Sequence, residues 1–334
     1  MPPTSPGKAR GLARISDGEG RYAILAIDQR AQLFPLVTRG ADPGAGAPGA
    51  ALGPLKRLLA EVLAGHVTGL LIDPTYGYHH ILPVLPRGVG LLLTLEDHRV
   101  ETTAAGFRTN RLIPDWGVAA AVRAGAEALK LLVFSHPAAP PEVARAQQAL
   151  VRGVGEACRT SDRPFVLELL PYPLPGQAAE EYARALPELS VEIVRPFAAP
   201  MYGVDLYKLA LPGDPAHVRE WGGRLYSLAD LGEVMREITR LLPAPWVLLS
   251  GGMPGDRFVA AFRAALAAGA RGYLAGRAVW WEAVQAYPDM ARIRQALETE
   301  GVRVLRALNQ ALAAVPPGTV EADWRLPVAA DVGG

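Results

Sequence analysis

Residues 128–134 read ALKLLVF, a run in which every side chain except Lys130 is apolar. Such a run is typical of a parallel strand covered on both sides, because neither of its faces alternates with polar residues. A lysine inside such a strand is costly unless it is paired or used chemically. The run therefore predicts a covered parallel sheet and marks Lys130 as a candidate functional residue.

Seven further apolar runs of this kind occur along the chain, separated by longer stretches with helical periodicity. The eight runs are residues 22–28, 67–73, 89–95, 128–134, 165–170, 206–211, 246–250 and 272–275. Alternating short strands and helices are typical of repeated βα units. Eight units over about 260 residues match a (β/α)8 barrel in number and length. We therefore predict an α/β fold made of a single TIM barrel.

The remaining segments predict a simple domain organisation. We expect residues 1–20 to be a polar N-terminal leader, residues 21–312 to be the catalytic barrel, and residues 313–334 to be a tail that packs over the barrel or is disordered. Residues 39–53 are rich in Gly, Ala and Pro and predict a long mobile loop at the barrel rim, followed by a helix over 53–63.

Composition excludes several classes of partner. Lys and Arg total 34 against 33 Asp and Glu, so the chain lacks the basic excess of a nucleic-acid or anionic-membrane surface. No apolar run approaches the roughly 18 residues of a membrane span, and residues 1–21 lack the apolar core of a secretory signal. The single cysteine, Cys158, cannot close an intramolecular disulfide. We expect a cytoplasmic protein without nucleic-acid or membrane partners.

Lysine is rare in this chain. Only four of the 34 basic residues are lysines, and arginine supplies the rest. Lys8 in the leader and Lys56 on the predicted helix are expected to be solvated charges. Lys130 and Lys208 instead lie inside apolar runs, where an unpaired charge is costly. These two lysines are the candidates for a chemical role.

Polar residues and glycines gather where the predicted strands end. Active sites of these barrels form at the carboxyl ends of the strands, so this position carries functional weight. Many strand-end acids only cap a helix or pair with an arginine, but two lysines and several carboxylates converging on one pocket favour chemistry. The strand-end residues are Asp28, Gln29, Asp73, Glu96, Asp97, His98, Lys130, Glu168, Lys208, Ser250, Gly251, Gly252, Gly276 and Arg277.

Two buried lysines and one glutamate predict imine chemistry. A lysine is a nucleophile only when neutral, and both burial and a neighbouring cation lower a lysine pKa from about 10.4. Lys130 can be the cation that lowers the pKa of Lys208, or Lys208 can lower that of Lys130. The protonated imine formed with a ketone is an electron sink for cleavage of the adjacent C–C bond, and Glu168 would move the protons. The alternative is an ion pair that braces the barrel, although two lysines for one glutamate leave one charge without an obvious partner.

The last two predicted strands lead into a candidate phosphate site. Ser250, Gly251 and Gly252 follow one strand, and Gly276 with Arg277 follows the next. Glycines let backbone N–H groups approach an anion, and Arg277 adds a charge-assisted contact. Many barrels bind phosphate at these two loops.

Two other functions fit parts of the pattern. A non-catalytic sugar-phosphate-binding protein would keep the pocket without turnover. A metal-dependent barrel lyase would draw its ligands from Asp28, Asp73, Glu96, His98 or the pair His79 and His80.

The pair Trp280 and Trp281 predicts helix packing, with a contact between subunits of a homo-oligomer as the alternative.

Eight stretches of the sequence resemble a known family. The chain is similar to the tagatose 1,6-bisphosphate aldolase family, class I aldolases that include sulfofructosephosphate aldolase. The resemblance runs in family order from about residue 22 to residue 285. The stretches are residues 26–30, 70–77, 110–116, 125–130, 165–170, 202–208, 249–252 and 275–280.

The resemblance implies a role for each candidate residue. Lys208 would form the Schiff base, Glu168 would transfer protons and Lys130 would be the second active-site lysine. The substrate-binding set would be Asp28, Gln29, Asp73, Ser250, Gly251, Gly252, Gly276 and Arg277, with the last of these and the serine–glycine loop holding a phosphate. The reaction would be reversible cleavage of a phosphorylated ketose into dihydroxyacetone phosphate and an aldehyde, without a metal or cofactor.

Two departures from the family pattern lie at the barrel rim. The first βα loop is rich in Gly, Ala and Pro, whereas that of the family is polar. Residues 96–99 read EDHR where the family more usually has Glu-Lys. The rim is where the far end of a substrate would be read. Whether that end carries a phosphate or a sulfonate is therefore left open by the sequence.

Overall fold

The structure is a computed structural model that describes residues 5–39 and 49–314. Its strands are β1 (Tyr22–Ile27), β2 (Gly69–Ile72), β3 (Gly90–Thr94), β4 (Glu101–Thr102), β5 (Arg108–Thr109), β6 (Ala128–Phe134), β7 (Phe165–Leu170), β8 (Leu206–Leu209), β9 (Trp246–Leu249) and β10 (Gly272–Ala275). Eight of them close into a parallel barrel in the order β1-β10-β9-β8-β7-β6-β3-β2. The predicted TIM barrel is confirmed, and every barrel strand lies within one of the eight predicted runs.

Helices surround the barrel and follow the strands. Amphipathic helices on the outside bury the outward-facing apolar side chains of the parallel strands. Their bounds are α1 (Pro6–Arg14), α2 (Phe34–Val37), α3 (Gly49–Leu63), α4 (Tyr78–Ile81), α5 (Val118–Arg123), α6 (Pro141–Thr160), α7 (Ala179–Val194), α8 (Leu228–Leu241), α9 (Gly255–Ala267), α10 (Arg277–Val284), α11 (Met290–Ala296) and α12 (Val302–Ala313). No helix within the described residues has the length and apolar character needed to cross a membrane.

The barrel interior has an apolar layer below a charged one. Inward-facing side chains from all eight barrel strands form a central cluster that includes Ala26, Ala128, Val166 and Leu206. Because side chains alternate along a strand, the residue two positions further on faces the same interior. On β6, β7 and β8 that residue is Lys130, Glu168 and Lys208, and it is Asp28 just after β1. Strand alternation thus raises these charges to the carboxyl end of the barrel.

The amino-terminal end of the barrel is closed by part of the predicted leader. Residues 6–14 form α1, and Ile15 inserts into the interior cluster with no exposed surface. The prediction that Lys8 is a solvated charge is wrong, because its Nζ lies 2.7 Å from Asp205 Oδ2 and is buried. The partner lies 197 residues away in the chain, so local composition could not indicate the pair.

Two predicted segments fall partly outside the described residues. Residues 40–48 of the Gly/Ala/Pro-rich loop and residues 315–334 of the tail lie outside them. Residues 49–53, which were predicted to be loop, are the first turns of α3, so that helix begins earlier than expected. A short antiparallel hairpin of β4 and β5 lies between β3 and β6 and was not predicted.

Candidate active site

Lys130 lies at the centre of a cluster of three carboxylates inside the barrel. Its Nζ is 2.6 Å from Glu96 Oε1, 2.8 Å from Glu168 Oε2 and 3.1 Å from Asp28 Oδ2. All four side chains are buried. Three anions around one cation form a network whose members come from β1, β3, β6 and β7 or their ends.

Lys208 joins this network through a single shared carboxylate. Its Nζ lies 2.7 Å from Glu168 Oε2, the same oxygen that contacts Lys130. Arg30 adds a third cation, with its guanidinium 3.8 Å from Glu96. The expectation that one lysine charge would lack a partner is therefore wrong, because acids at the ends of β1 and β3 complete the balance. Register pairing of Glu168 with Lys208 on adjacent strands fixes this contact.

The network holds its charges in defined forms. Burial alone would lower the pKa of Lys130, but the three surrounding carboxylates outweigh burial and raise it above its usual value. Burial would raise the pKa of Glu168, but Lys130 and Lys208 outweigh burial and lower it. The pKa of Asp28 is lowered in the same way, mainly by Lys130 against the effect of burial. Lys130 is thus held as a cation, and the two acids are held ionised.

Glu96 and Thr94 belong to the interior of the site and were not in the predicted set. Glu96 was named as a strand-end residue and a candidate metal ligand but given no role beside Lys130, yet it contacts Lys130 and accepts the Leu132 N–H at 3.0 Å. Thr94 has no exposed surface, and its Oγ1 has no partner among the described residues. Both lie at even steps from Leu92, an inward residue of β3. Strand alternation applied along β3 to Thr94, and one step further to Glu96, would have placed both in the interior.

Two glycine loops lie beside the network at the ends of β9 and β10. Ser250 Oγ accepts the Gly276 N–H at 3.3 Å, and Arg277 Nη2 lies 3.4 Å from the Gly251 carbonyl. Gly252 has a φ of +88°, and a Cβ there would lie 3.0 Å from Arg277 Cζ. A side chain at residue 252 would therefore displace the guanidinium. The loops bring together backbone N–H groups and one cation, which is the arrangement an anion requires.

Gln29 lies between the network and the second glycine loop. A Cβ on Gly276 would lie 2.8 Å from Gln29 Nε2, so the amide packs directly against that glycine. Gln29 Oε1 is buried and has no partner among the described residues. A buried acceptor without a donor is costly, so a ligand hydroxyl at this position would satisfy it.

Asp73 is not part of this pocket. Its carboxylate has no exposed surface and lies 2.6 Å from Lys56 Nζ, which also donates to the Ile27 carbonyl at 2.9 Å. Asp73 Oδ2 accepts the N–H groups of Tyr76 and Gly77. The prediction of Asp73 as a substrate contact is corrected, because every oxygen already has a protein partner. The solvated charge predicted for Lys56 is wrong for the same reason.

The residues weighed as metal ligands are separated or already paired. His79 and His80 lie exposed on α4, and His98 pairs with Asp97 at 3.2 Å. Asp28 and Glu96 are engaged by Lys130. Within residues 5–39 and 49–314, no group of three or more His, Cys, Asp or Glu side chains is arranged to hold a metal ion.

Comparison with known proteins identifies the family. A family model described as DeoC/LacD family aldolase matches residues 22–282. The chain belongs to the DeoC/LacD aldolase family. It is 30% identical over 314 residues to tagatose 1,6-diphosphate aldolase 2 of Streptococcus mutans serotype c, covering 90% of this chain and 93% of that protein. It is 31% identical over 322 residues to tagatose 1,6-diphosphate aldolase of Streptococcus agalactiae serotype V, covering 91% and 95%.

Comparison with solved structures agrees with the barrel fold. Fructose-bisphosphate aldolase from Plasmodium falciparum superposes with a TM-score of 0.64 at 13% identity, covering 93% of this chain and 95% of that one. A likeness at this identity concerns the barrel fold alone. The predicted family resemblance is confirmed, and membership makes this DeoC/LacD protein an aldolase, and so a lyase.

Proposed function

We propose that this aldolase forms a Schiff base between Lys208 and a phosphorylated ketose such as tagatose 1,6-bisphosphate. It would reversibly cleave that ketose into dihydroxyacetone phosphate and an aldehyde. The observation that carries the proposal is the sharing of Glu168 Oε2, at 2.7 Å from Lys208 and 2.8 Å from Lys130. One carboxylate between two buried lysines can exchange a proton with one of them while the other keeps its charge.

The unequal surroundings of the two lysines support different roles for them. Three carboxylates hold Lys130 in its charged form, whereas Glu168 is the one carboxylate that pairs with Lys208 among the described residues. A nucleophilic amine must give up its proton, so Lys208 is the nucleophile and Lys130 is the fixed cation. This separation agrees with the family resemblance, which assigns the Schiff base to Lys208.

Proton transfer by Glu168 connects the steps of the reaction. Lys208 passes a proton to Glu168 and adds to the C2 carbonyl, giving a carbinolamine. Glu168 returns the proton to the carbinolamine hydroxyl, which leaves as water and gives the protonated imine. Glu168 then takes the C4 hydroxyl proton, the C3–C4 bond breaks, and its electrons form the enamine as the aldehyde departs. Protonation at C3 and hydrolysis of the imine release dihydroxyacetone phosphate.

The glycine loops would hold the phosphate next to the reacting carbon. Arg277 and the backbone of residues 250–252 and 276 supply the cation and the N–H groups, and β9 directly follows β8 around the barrel. A phosphate on C1 therefore places C2 next to Lys208. Asp28 and the unpaired Oε1 of Gln29 would accept hydrogen bonds from substrate hydroxyls.

The test is release of dihydroxyacetone phosphate from tagatose 1,6-bisphosphate, measured with and without excess EDTA. We expect turnover at the same rate in both conditions, because no step uses a metal. Activity lost in EDTA and restored by a divalent cation would favour the metal-dependent lyase instead. Tight binding without turnover would favour the non-catalytic sugar-phosphate-binding protein.

A further inference from the structure

The barrel order fixes the direction in which a bound substrate would extend. Going round the ring, β6 lies four strands from β10, and β3 lies four strands from β9. The glycine loops after β9 and β10 therefore face the ends of β3 and β6 across the mouth. If the proposed function holds, a ketose with its C1 phosphate on those loops points its other end at the β3–β6 connection, which carries the hairpin of β4 and β5.

Two arginines of this connection are already neutralised. Arg99 Nη2 lies 2.9 Å from Asp97 Oδ2, and Arg111 contacts both Asp97 and Glu101. Asp97 stands where the resembling family more usually has lysine. A distal anion at this point would meet the carboxylate of Asp97 and two arginines that are already paired. Arg99 and Arg111 are therefore poor candidates for binding it.

Arg108 differs from Arg99 and Arg111. Its guanidinium carbon lies 4.8 Å from the ring centre of Phe134 and 4.7 Å from that of Tyr172. The Arg108 N–H also donates to Tyr172 Oη at 3.0 Å. Among the ion pairs of the described residues, Arg108 has none. It is thus a cation with fixed orientation whose hydrogen-bond donors are not taken by a carboxylate.

The two rings that contact Arg108 lie further toward the barrel mouth than the charged network. Phe134 is an even number of residues beyond Lys130 on β6, so it faces the same interior at a distance of about 13 Å along the strand. The His136 ring centre lies 5.5 Å from that of Tyr172, and its Nδ1 accepts the Ala138 N–H. Neutral His136 therefore carries its hydrogen on Nε2, which is a second donor beside Arg108.

We propose that Arg108 binds the distal anionic group of the substrate, a phosphate or a sulfonate, and makes the enzyme selective for ketoses charged at both ends. A planar guanidinium packed against two mutually perpendicular rings presents paired N–H donors to two oxygens of such a group. Arg277 and Arg108 would then hold opposite ends of the substrate, with Lys208 between them. Arg108 is a specificity-determining residue in this proposal and takes no part in the proton transfers.

The test compares three substrates in the wild type, Arg108→Gln and the matched control Arg99→Gln. The substrates are tagatose 1,6-bisphosphate, its 6-sulfonate analogue and tagatose 1-phosphate, which has a neutral distal end. For Arg108→Gln we expect kcat/KM to fall roughly 10- to 100-fold on the doubly charged substrates and less than about 3-fold on the monophosphate. A fall in kcat/KM on the bisphosphate alone would show that Arg108 binds a distal phosphate. An equal fall on the 6-sulfonate analogue would show that it binds either anion. Arg99→Gln should change none of these ratios.

Binding separates this proposal from the proposed function. Calorimetric titration of the same ligands gives the Arg108 dependence even if the wild type turns over none of them. A bisphosphate affinity that falls with Arg108→Gln, in a wild type without turnover, would reject the aldolase reaction and keep the anion site. Equal losses on all three ligands, or no loss on any, would overturn the role of Arg108. Arg108→Lys, which restores charge without the planar donors, should recover only part of the affinity.

Discussion

All four lysines of the chain are buried beside carboxylates, but in two different settings. Lys56 and Asp73 form a pair between α3 and the sheet, and their remaining hydrogen bonds are taken by backbone groups. Lys130 and Lys208 share Glu168 inside the barrel mouth. The first setting is closed, since both oxygens of the Asp73 carboxylate accept hydrogen bonds from protein donors. The second is open, because one carboxylate serves two cations.

The difference shows that burial of a lysine does not by itself mark a catalytic site. Lys56 is more completely buried than Lys208, at 0% against 5% exposed. Unpaired polar atoms mark the mouth instead, since Gln29 Oε1 and Thr94 Oγ1 have no hydrogen-bond partner within residues 5–39 and 49–314. A bound substrate can satisfy such atoms, whereas both oxygens of Asp73 already accept hydrogen bonds from the protein. Replacing a lysine of the open setting should therefore lower kcat, whereas replacing Lys56 should lower the free energy of unfolding.

The largest effect is expected at the open setting from Lys208→Met. Removing the amine that forms the imine should lower kcat by at least about 10,000-fold, the scale seen when a catalytic nucleophile is lost. Steady-state cleavage of tagatose 1,6-bisphosphate measures this, with thermal unfolding to show that the fold persists. Lys208→Arg is the matched control, because it keeps the cation but forms no imine, and it should be equally inactive. Residual activity near that of the wild type in either variant would refute the mechanism.

Lys130→Met should lower kcat by about 1,000-fold while leaving the nucleophile in place. Lys130 and Lys208 together lower the pKa of Glu168, so removing Lys130 should let that pKa rise. The acidic limb of the pH profile of kcat/KM should therefore move to higher pH. Lys130→Arg keeps the charge and should return the limb toward its original position. An unmoved limb in Lys130→Met would show that Lys130 does not act on Glu168.

The smallest catalytic effect is expected at the closed setting. Lys56→Met leaves the Asp73 carboxylate buried without its cation, which should lower the free energy of unfolding by about 3 kcal/mol. Adding Asp73→Asn removes that charge while keeping an amide oxygen for the two N–H groups, so part of the stability should return. Urea unfolding measures both variants. The kcat of the folded protein should change less than about 3-fold, and a large fall would make Lys56 part of the site.

The fold was predictable because its signal is local. Each barrel strand is a continuous apolar run, and short-range alternation is enough to place Lys130, Glu168 and Lys208 on the interior. The pairs of Lys8 and Lys56 were not predicted, because their partners lie 197 and 17 residues away. A chain pattern shows that a charge is buried, but only the folded barrel shows which opposite charge meets it.

The same limit explains what was missed at the site. Glu96 was predicted to lie at a strand end, but the sequence did not show that its carboxylate contacts Lys130, 34 residues away in the chain. The packing of Arg108 against Phe134 and Tyr172 joins three segments that are far apart in the chain. Phe134, Tyr172 and Arg108 form no motif in the sequence, so their contact could not be predicted from it.

The most direct test of the account is reductive trapping of the imine. The protein is incubated with dihydroxyacetone phosphate and sodium borohydride, and its intact mass and peptide map are measured. We predict one covalent adduct on Lys208, and none in Lys208→Met. An adduct on Lys130, or no adduct in a wild-type protein that cleaves the ketose, would contradict it.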